Sequence, residues 1–576
     1  MGTLPASLLL HPPTYDPAHF DPPTRDMLRA TIDWFERRGK RRLTADFHAH
    51  VFYSDFLEFV AEQGMFATLM TPQRDADGAP GKRWDTSRIA AMSEVLGFYG
   101  LNYWYPWQVT ILGLGPVWQS DNDVARKRAA VALDSGGVGA FGLSERQHGA
   151  DIYATDMVLT PDGAGGYLAS GGKYYIGNGN VADILSVFGR IAGVEGPDQY
   201  VFFYATARHE NFTLVKNIVP AQMYVAEFRL DDYPVRAEDI LHTGAEAFSA
   251  ALNTVNIGKF NLCFGGIGIA THALYEAITH AHTRVLYGAP VTNFPHVRAE
   301  FVEAFARLIA MRLFSDRAVD YFRSASAEDR RYLLYNPVTK MKVTTEAEKV
   351  IALLADLVAA KGFEADSYLT IAKMDIGGLP KLEGTVAVNL ALIMKFMPAY
   401  LFDPAEFASV PTRTDAADDE FLFRQGPARG LSKIRFHDWR PIYRQFAELP
   451  NVGMFTEQAE QFTELIRAHP PGGEQADDLD LVLTLTELFT LIVYGQLILE
   501  QVDIIDLDRD MVEEVFAVLV RDFSARAVEL HGKAGSTAAQ QQWALGVIRK
   551  PVIDPGRSER LWNQVAALSG TYAMTP

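Results

Sequence analysis

Histidines, aspartates and glycines at short spacings are the first candidates for chemistry, and each has a simpler explanation. Gly266-Ile-Gly268 could belong to a dinucleotide fingerprint, yet no strand precedes it and Thr271 stands where the third glycine would sit. Small residues that let helices approach closely explain it. His48 and His50 bracket Ala49 at a spacing that can ligate metal on a strand, but no third ligand type lies nearby. His272, His280 and His282 share one expected helix at offsets of eight and ten, which do not converge as the four-residue offset of a zinc helix does, so surface or half-buried positions are expected. Asp503, Asp506, Asp508 and Asp510 resemble the start of a calcium loop without its glycine or closing glutamate, and they suit the positive end of the helix that follows. Cys263, the single cysteine, excludes an intrachain disulfide framework or a thiolate metal cluster and reads as a small buried apolar residue.

A more informative set is spread along the chain in order: Phe141-Gly-Leu-Ser-Glu-Arg-Gln-His-Gly-Ala-Asp151, then Gly171-Gly-Lys-Tyr-Tyr-Ile-Gly-Asn-Gly-Asn-Val-Ala-Asp183, then Arg284-Val-Leu-Tyr-Gly288, and finally Leu382-Glu-Gly-Thr385. Together these resemble the motifs of the acyl-CoA dehydrogenase family over about residues 24 to 402, with a C-terminal extension like that of its very-long-chain type members. The resemblance implies FAD as cofactor, an acyl-CoA substrate and dehydrogenation of the thioester between its α and β carbons. Such chemistry needs a hydride acceptor that no side chain provides. It also needs a base beside the weakly acidic α carbon, with hydrogen bonds that stabilise the growing enolate charge.

By that resemblance Glu383 is the catalytic base, with Leu382, Gly384, Ala150 and Lys259 near the substrate. Phe141, Leu143, Ser144, Gly149, Tyr175, Ile176, Gly177, Tyr287 and Thr385 would contact FAD, and Arg284 would reach the pyrophosphate of a neighbouring subunit, which implies a homodimer at least. Several positions depart from the family pattern. Ala150 replaces a serine, Tyr175 a tryptophan, Gly177 a threonine, Pro295 and Ala387 glutamines, Ala359-Ala360 a glycine pair, and Lys259 an arginine. Each lost side-chain hydrogen bond is worth about 0.5–1.5 kcal/mol. Electron-transferring flavoprotein is the implied acceptor. The alternatives are an acyl-CoA oxidase that uses oxygen, a carrier-protein thioester as substrate, or a non-catalytic binding or assembly protein on the same fold.

The elements that must position these residues follow from periodicity. Apolar spacing of three and four gives an N-terminal helical domain over residues 1–137, short runs between turns give a middle β-barrel domain over 138–244, and helices return in a four-helix bundle over 245–402. Residues 403–430 read as a linker opening an extra C-terminal helical domain over 403–576, so the fold class is mainly α with a central β-barrel domain. The chain is 48% hydrophobic and 22% charged with a net charge of −18, which fits a globular protein and argues against a duplex nucleic-acid partner. No secretory leader is expected, and the apolar stretch Leu481 to Leu499 carries Glu487 and Gln496, so a buried helix and a cytoplasmic setting without a transmembrane segment are expected.

Overall fold

The computed structural model describes residues 3–149, 151–427 and 430–576. The backbone divides into two compact units, one of Asp16–Gly265, Thr414–Arg429 and Met574–Pro576, the other of Met1–Tyr15, Gly266–Arg413 and Gly430–Ala573.

The first unit begins with helices whose starts carry the expected caps. Asp21, Asp85 and Asn122 accept the backbone N–H groups of Thr24, Ser87 and Ala125 at 3.0–3.1 Å, opening helices Pro22–Arg38, Thr86–Tyr99 and Asp123–Asp134. Helix Leu101–Gln119 is apolar on all sides and buried almost throughout, as a helix at the centre of a domain must be. A Cβ on its Gly113 would lie 2.5 Å from the Ala140 nitrogen, so the missing side chain lets the helix press directly on the first strand.

That strand belongs to an eight-stranded mixed sheet. Its strands are β1 (Gly139–Gly142), β2 (Val158–Pro161), β3 (Tyr167–Gly177), β4 (Ile184–Ile191), β5 (Tyr200–Ala205), β6 (Phe212–Asn217), β7 (Val225–Val235) and β8 (Ile240–Thr243). The order is β6-β7-β3-β2-β4-β5-β8, with β1 paired in parallel to β4. The β-rich middle segment is as expected, but the sheet is open where a closed barrel was expected. Its end strand β6 is exposed along nearly its whole length and adds little to the core. The core face carries Leu159, Ile176, Val187, Phe203, Phe228 and Leu230.

The long helix Gly244–Thr283 runs through both units. Within the first unit a Cβ on Gly97 would sit 2.4 Å from the Gly265 oxygen, and one on Gly265 would sit 3.1 Å from Trp104. The glycine cluster therefore serves helix packing. Cys263 is buried, as expected of a lone cysteine, and its thiol donates to the Phe260 carbonyl at 2.6 Å.

The second unit is helical. Its main members are Pro295–Arg323, Thr344–Val358, Pro450–Ala468, Leu479–Ile505 and Arg509–Gly532. Arg307 ties three of them, donating to Glu346 at 2.7 Å and to Asp522 at 2.9 Å. Leu479–Ile505 is long and apolar enough to cross a membrane, but 89% of its most apolar stretch is buried inside the protein. His272 departs from expectation: it is fully buried and stacks on Tyr368 with ring centroids 3.6 Å apart. Residues 403–427, which the sequence reads as a linker, hold one short 3-10 turn, and within them Asp418 and Asp419 accept the backbone N–H groups of Trp84 at 2.6 Å and Thr86 at 2.7 Å while Leu422 and Phe423 are buried.

Candidate active site

The Leu382-Glu-Gly-Thr385 segment forms a tight loop between a 3-10 turn, Leu379–Lys381, and helix Val386–Ile393. Two successive residues take left-handed backbone, Glu383 at φ 51° and Gly384 at φ 88°. For a glutamate that conformation costs roughly 1–2 kcal/mol and must be held by its surroundings. Two buried side chains hold it. Lys340, fully buried, donates its Nζ to the Pro380 carbonyl and to the Gly384 carbonyl, each at 2.6 Å. Asn389, also fully buried, donates its Nδ2 to the Gly384 and Thr385 carbonyls at 3.0 Å. Thr385 caps the following helix, its hydroxyl accepting the Val388 N–H at 3.4 Å. Leu382, Glu383 and Gly384 are half-buried and Thr385 is exposed.

Lys340 reaches the loop from an irregular turn. Helix Tyr332–Val338 contains Pro337, which has no N–H to give, and passes into a π-helical turn, Thr339–Val343, that carries Lys340. Its own carbonyl is taken by the Thr344 hydroxyl at 2.6 Å. No motif marked this lysine. Thr-Lys-Met-Lys-Val reads as an ordinary helix with a solvated charge, and only the folded chain shows both lysines buried.

The 141–149 segment lies in the other unit. Phe141 in β1 stacks on Phe202 with centroids 5.9 Å apart. Lys173 in β3, fully buried, donates to the Leu143 carbonyl at 3.0 Å and to Glu145 at 2.6 Å, and the Tyr174 N–H donates to the Ser144 carbonyl at 2.9 Å. Burial pushes the Lys173 ammonium down to about 8, against the pull of Glu145. Burial likewise opposes charge on Glu145, but Lys173 and hydrogen bonds from Thr155 and Asp156 outweigh it and hold the carboxyl below its usual range. Glu145, His148 and Asp156 are also grouped closely enough for a metal, but Glu145 is committed to four donors: the Thr155 hydroxyl, the Asp156 and Met157 N–H groups and the Lys173 ammonium.

Other expected residues fall as follows. Ser144 and Leu143 are half-buried, and Gly149 is exposed. Tyr175 takes left-handed backbone at φ 63° and is 62% exposed, while Ile176 points into the sheet core. A Cβ at Gly177 would lie 2.6 Å from both Tyr105 and Val109, so the helix beside the strand leaves no room for the family's threonine. Lys259 is buried within the long helix. Arg284 is exposed, and beside it Tyr287 stands at the tip of a short hairpin, 98% exposed. Ala359 holds φ 57° at the end of helix Thr344–Val358, a left-handed position where the family's glycine pair would be relaxed. Ala150 lies outside the described residues.

Residues 247–397 match the family described as acyl-CoA dehydrogenase, C-terminal domain. The chain is 23% identical over 338 residues to the short-chain specific acyl-CoA dehydrogenase of Megasphaera elsdenii, covering 57% of this chain and 87% of that one. Against the very long-chain specific mitochondrial enzyme of Rattus norvegicus it is 22% identical over 350 residues, or 58% of this chain and 51% of the relative. Among solved structures, an acyl-CoA dehydrogenase from Bacillus anthracis complexed with FAD superposes with a TM-score of 0.74 at 15% identity, covering 98% of this chain and 97% of that one. That fold therefore extends through the C-terminal region.

Proposed function

We propose that this chain, a divergent relative of the acyl-CoA dehydrogenases, is an FAD-dependent oxidoreductase that converts a saturated acyl-CoA to the trans-2-enoyl-CoA. The observation that carries the reading is the Glu383 loop, a half-buried carboxylate held on strained backbone by two buried side chains within the segment that matches the family. Glu383 takes the proton from the α carbon, and its backbone N–H donates to the thioester carbonyl as negative charge grows there. General-base action supplies about 10²–10⁴ of the rate, and orientation with charge stabilisation supplies the rest.

The residues present have chemistry that fits a flavin. The half-buried Ser144 hydroxyl suits a hydrogen bond to a ring edge, the exposed Tyr175 ring suits an aromatic face, and the exposed Arg284 guanidinium suits a pyrophosphate. Bound FAD supplies the hydride acceptor that no side chain can replace. Phe141, Leu143 and Gly149 are assigned to the same cofactor, and Lys259 to the substrate side. A second copy of the chain covering Arg284 and Tyr287 makes the working form a homodimer, which light scattering reads directly. Electron-transferring flavoprotein is the assigned acceptor, and peroxide formed during aerobic turnover would instead identify an oxidase.

The test is anaerobic titration of the yellow holoprotein with acyl-CoAs of graded length, following flavin bleaching. Glu383→Gln should retain FAD and lose bleaching. Unchanged reduction in that variant would rule the assignment out.

A further inference from the structure

We infer that Lys340 is a positioning residue for the Glu383 carboxylate, fixing the base through the loop backbone without touching substrate; this rests on the proposed dehydrogenase reading. Its ammonium bridges the carbonyls of Pro380 and Gly384, one on each side of Glu383 along the chain. An ammonium has three donors and can join two acceptors that a single hydroxyl could not satisfy. Between the two anchor points lie Lys381, Leu382 and Glu383, so pinning both ends leaves the glutamate as the residue that turns. Asn389 reinforces one end, sharing the Gly384 carbonyl with Lys340 and adding that of Thr385.

The path by which Lys340 arrives supports the assignment. A π-turn replaces regular helix at Thr339–Val343, and such turns break helical register to aim particular side chains. Thr344 accommodates the break by taking the Lys340 carbonyl. The same turn sends Lys342 elsewhere, to Glu346 at 2.7 Å, so the two lysines of one short segment have separate tasks. Lys342 belongs to the ionic ties between helices, whereas Lys340 serves the loop.

The physical effect is on geometry at the moment of proton abstraction. A carboxylate displaced by about 1 Å from the α carbon slows reaction by on the order of 100-fold while leaving the acyl-CoA contacts made elsewhere intact. Two variants test this in the holoenzyme. Lys340→Met keeps the length and removes the donors; Asn389→Leu keeps the volume and removes the second anchor. Stopped-flow flavin reduction should slow by about 100-fold in Lys340→Met and about 10-fold in Asn389→Leu, with FAD content retained and KM for acyl-CoA within about threefold.

A merely structural lysine would lower the melting temperature but leave the reduction rate of the folded, flavin-loaded fraction unchanged, and that result in either variant overturns the inference. If Lys340→Met does not hold FAD, Asn389→Leu decides on the same criterion. Failure of the wild-type protein to be reduced by any acyl-CoA, or full reduction of Glu383→Gln, overturns the dehydrogenase reading and the inference with it. Normal wild-type reduction, none in Glu383→Gln and unslowed loop variants overturn the Lys340 assignment alone.

Discussion

Lys173 and Glu145 meet at 2.6 Å with both side chains almost completely removed from solvent, and through this pair β3 holds the turn that follows β1. The pair bears on the FAD contact proposed for Leu143 because the same ammonium also holds the Leu143 carbonyl. Breaking it leaves a carboxylate buried without its cation, which costs about 3–5 kcal/mol. Lys173→Met should therefore lower stability by that amount in urea denaturation and release FAD more readily. Adding Glu145→Gln to Lys173→Met removes the orphaned charge and should recover at least half of the loss.

Glu500 supplies a pH signature. Burial opposes its charge, but hydrogen bonding and charge from His437 and Arg317 outweigh burial and hold its carboxyl down at about 2. A carboxylate with a depressed pKa contributes stability that is complete above the unfolded value of about 4.3 and fades as pH falls toward 2. The contribution is roughly 3 kcal/mol, from about 1.4 kcal/mol per unit of pKa. Urea midpoints measured from pH 6 to pH 2.5 should show this loss in the wild type, and Glu500→Gln should show a shallower decline across the same range.

Gly177 is where a family threonine cannot be restored. With a Cβ placed 2.6 Å from Tyr105 and Val109, Gly177→Thr forces the strand end away from helix Leu101–Gln119. Overpacking of this kind costs about 1–3 kcal/mol. Thermal melting should fall accordingly, and flavin content should drop or stay level. A rise in FAD affinity would show that the strand moves freely.

Much of the architecture is visible in periodicity and turn residues. The apolar run from Tyr200 to Ala205 between turns reads as a strand and is β5 end to end, and the helical spacing from Val343 to Ala360 reads as one helix and forms Thr344–Val358. The misses have physical causes. Strand β6, Phe212–Asn217, has no alternating pattern because it lies at an exposed sheet end. The spacing from Thr385 to Met397 reads as a single helix, but the helix ends at Ile393 and restarts at Met397, where Pro398 cannot give an N–H to a continuous helix. Whether strands close a barrel is a matter of register, which apolar patterning alone does not specify. In the candidate site the motif residues are visible and their supports are not. Lys173 sits within a motif, but its burial against Glu145 depends on pairing across the sheet. Lys340 depends on a π-turn that has no sequence mark.

Helix Leu479–Ile505 has a consequence for synthesis. It is covered from one side by Pro295–Arg323, translated long before it, and from another by Arg509–Gly532, translated just after it. A nascent chain that has released the helix but not its later partner exposes an apolar face long enough to engage membrane-insertion or chaperone systems. Chains ending near residue 508 should accordingly be recovered as aggregates or chaperone complexes, although every residue proposed for the reaction is already present in them.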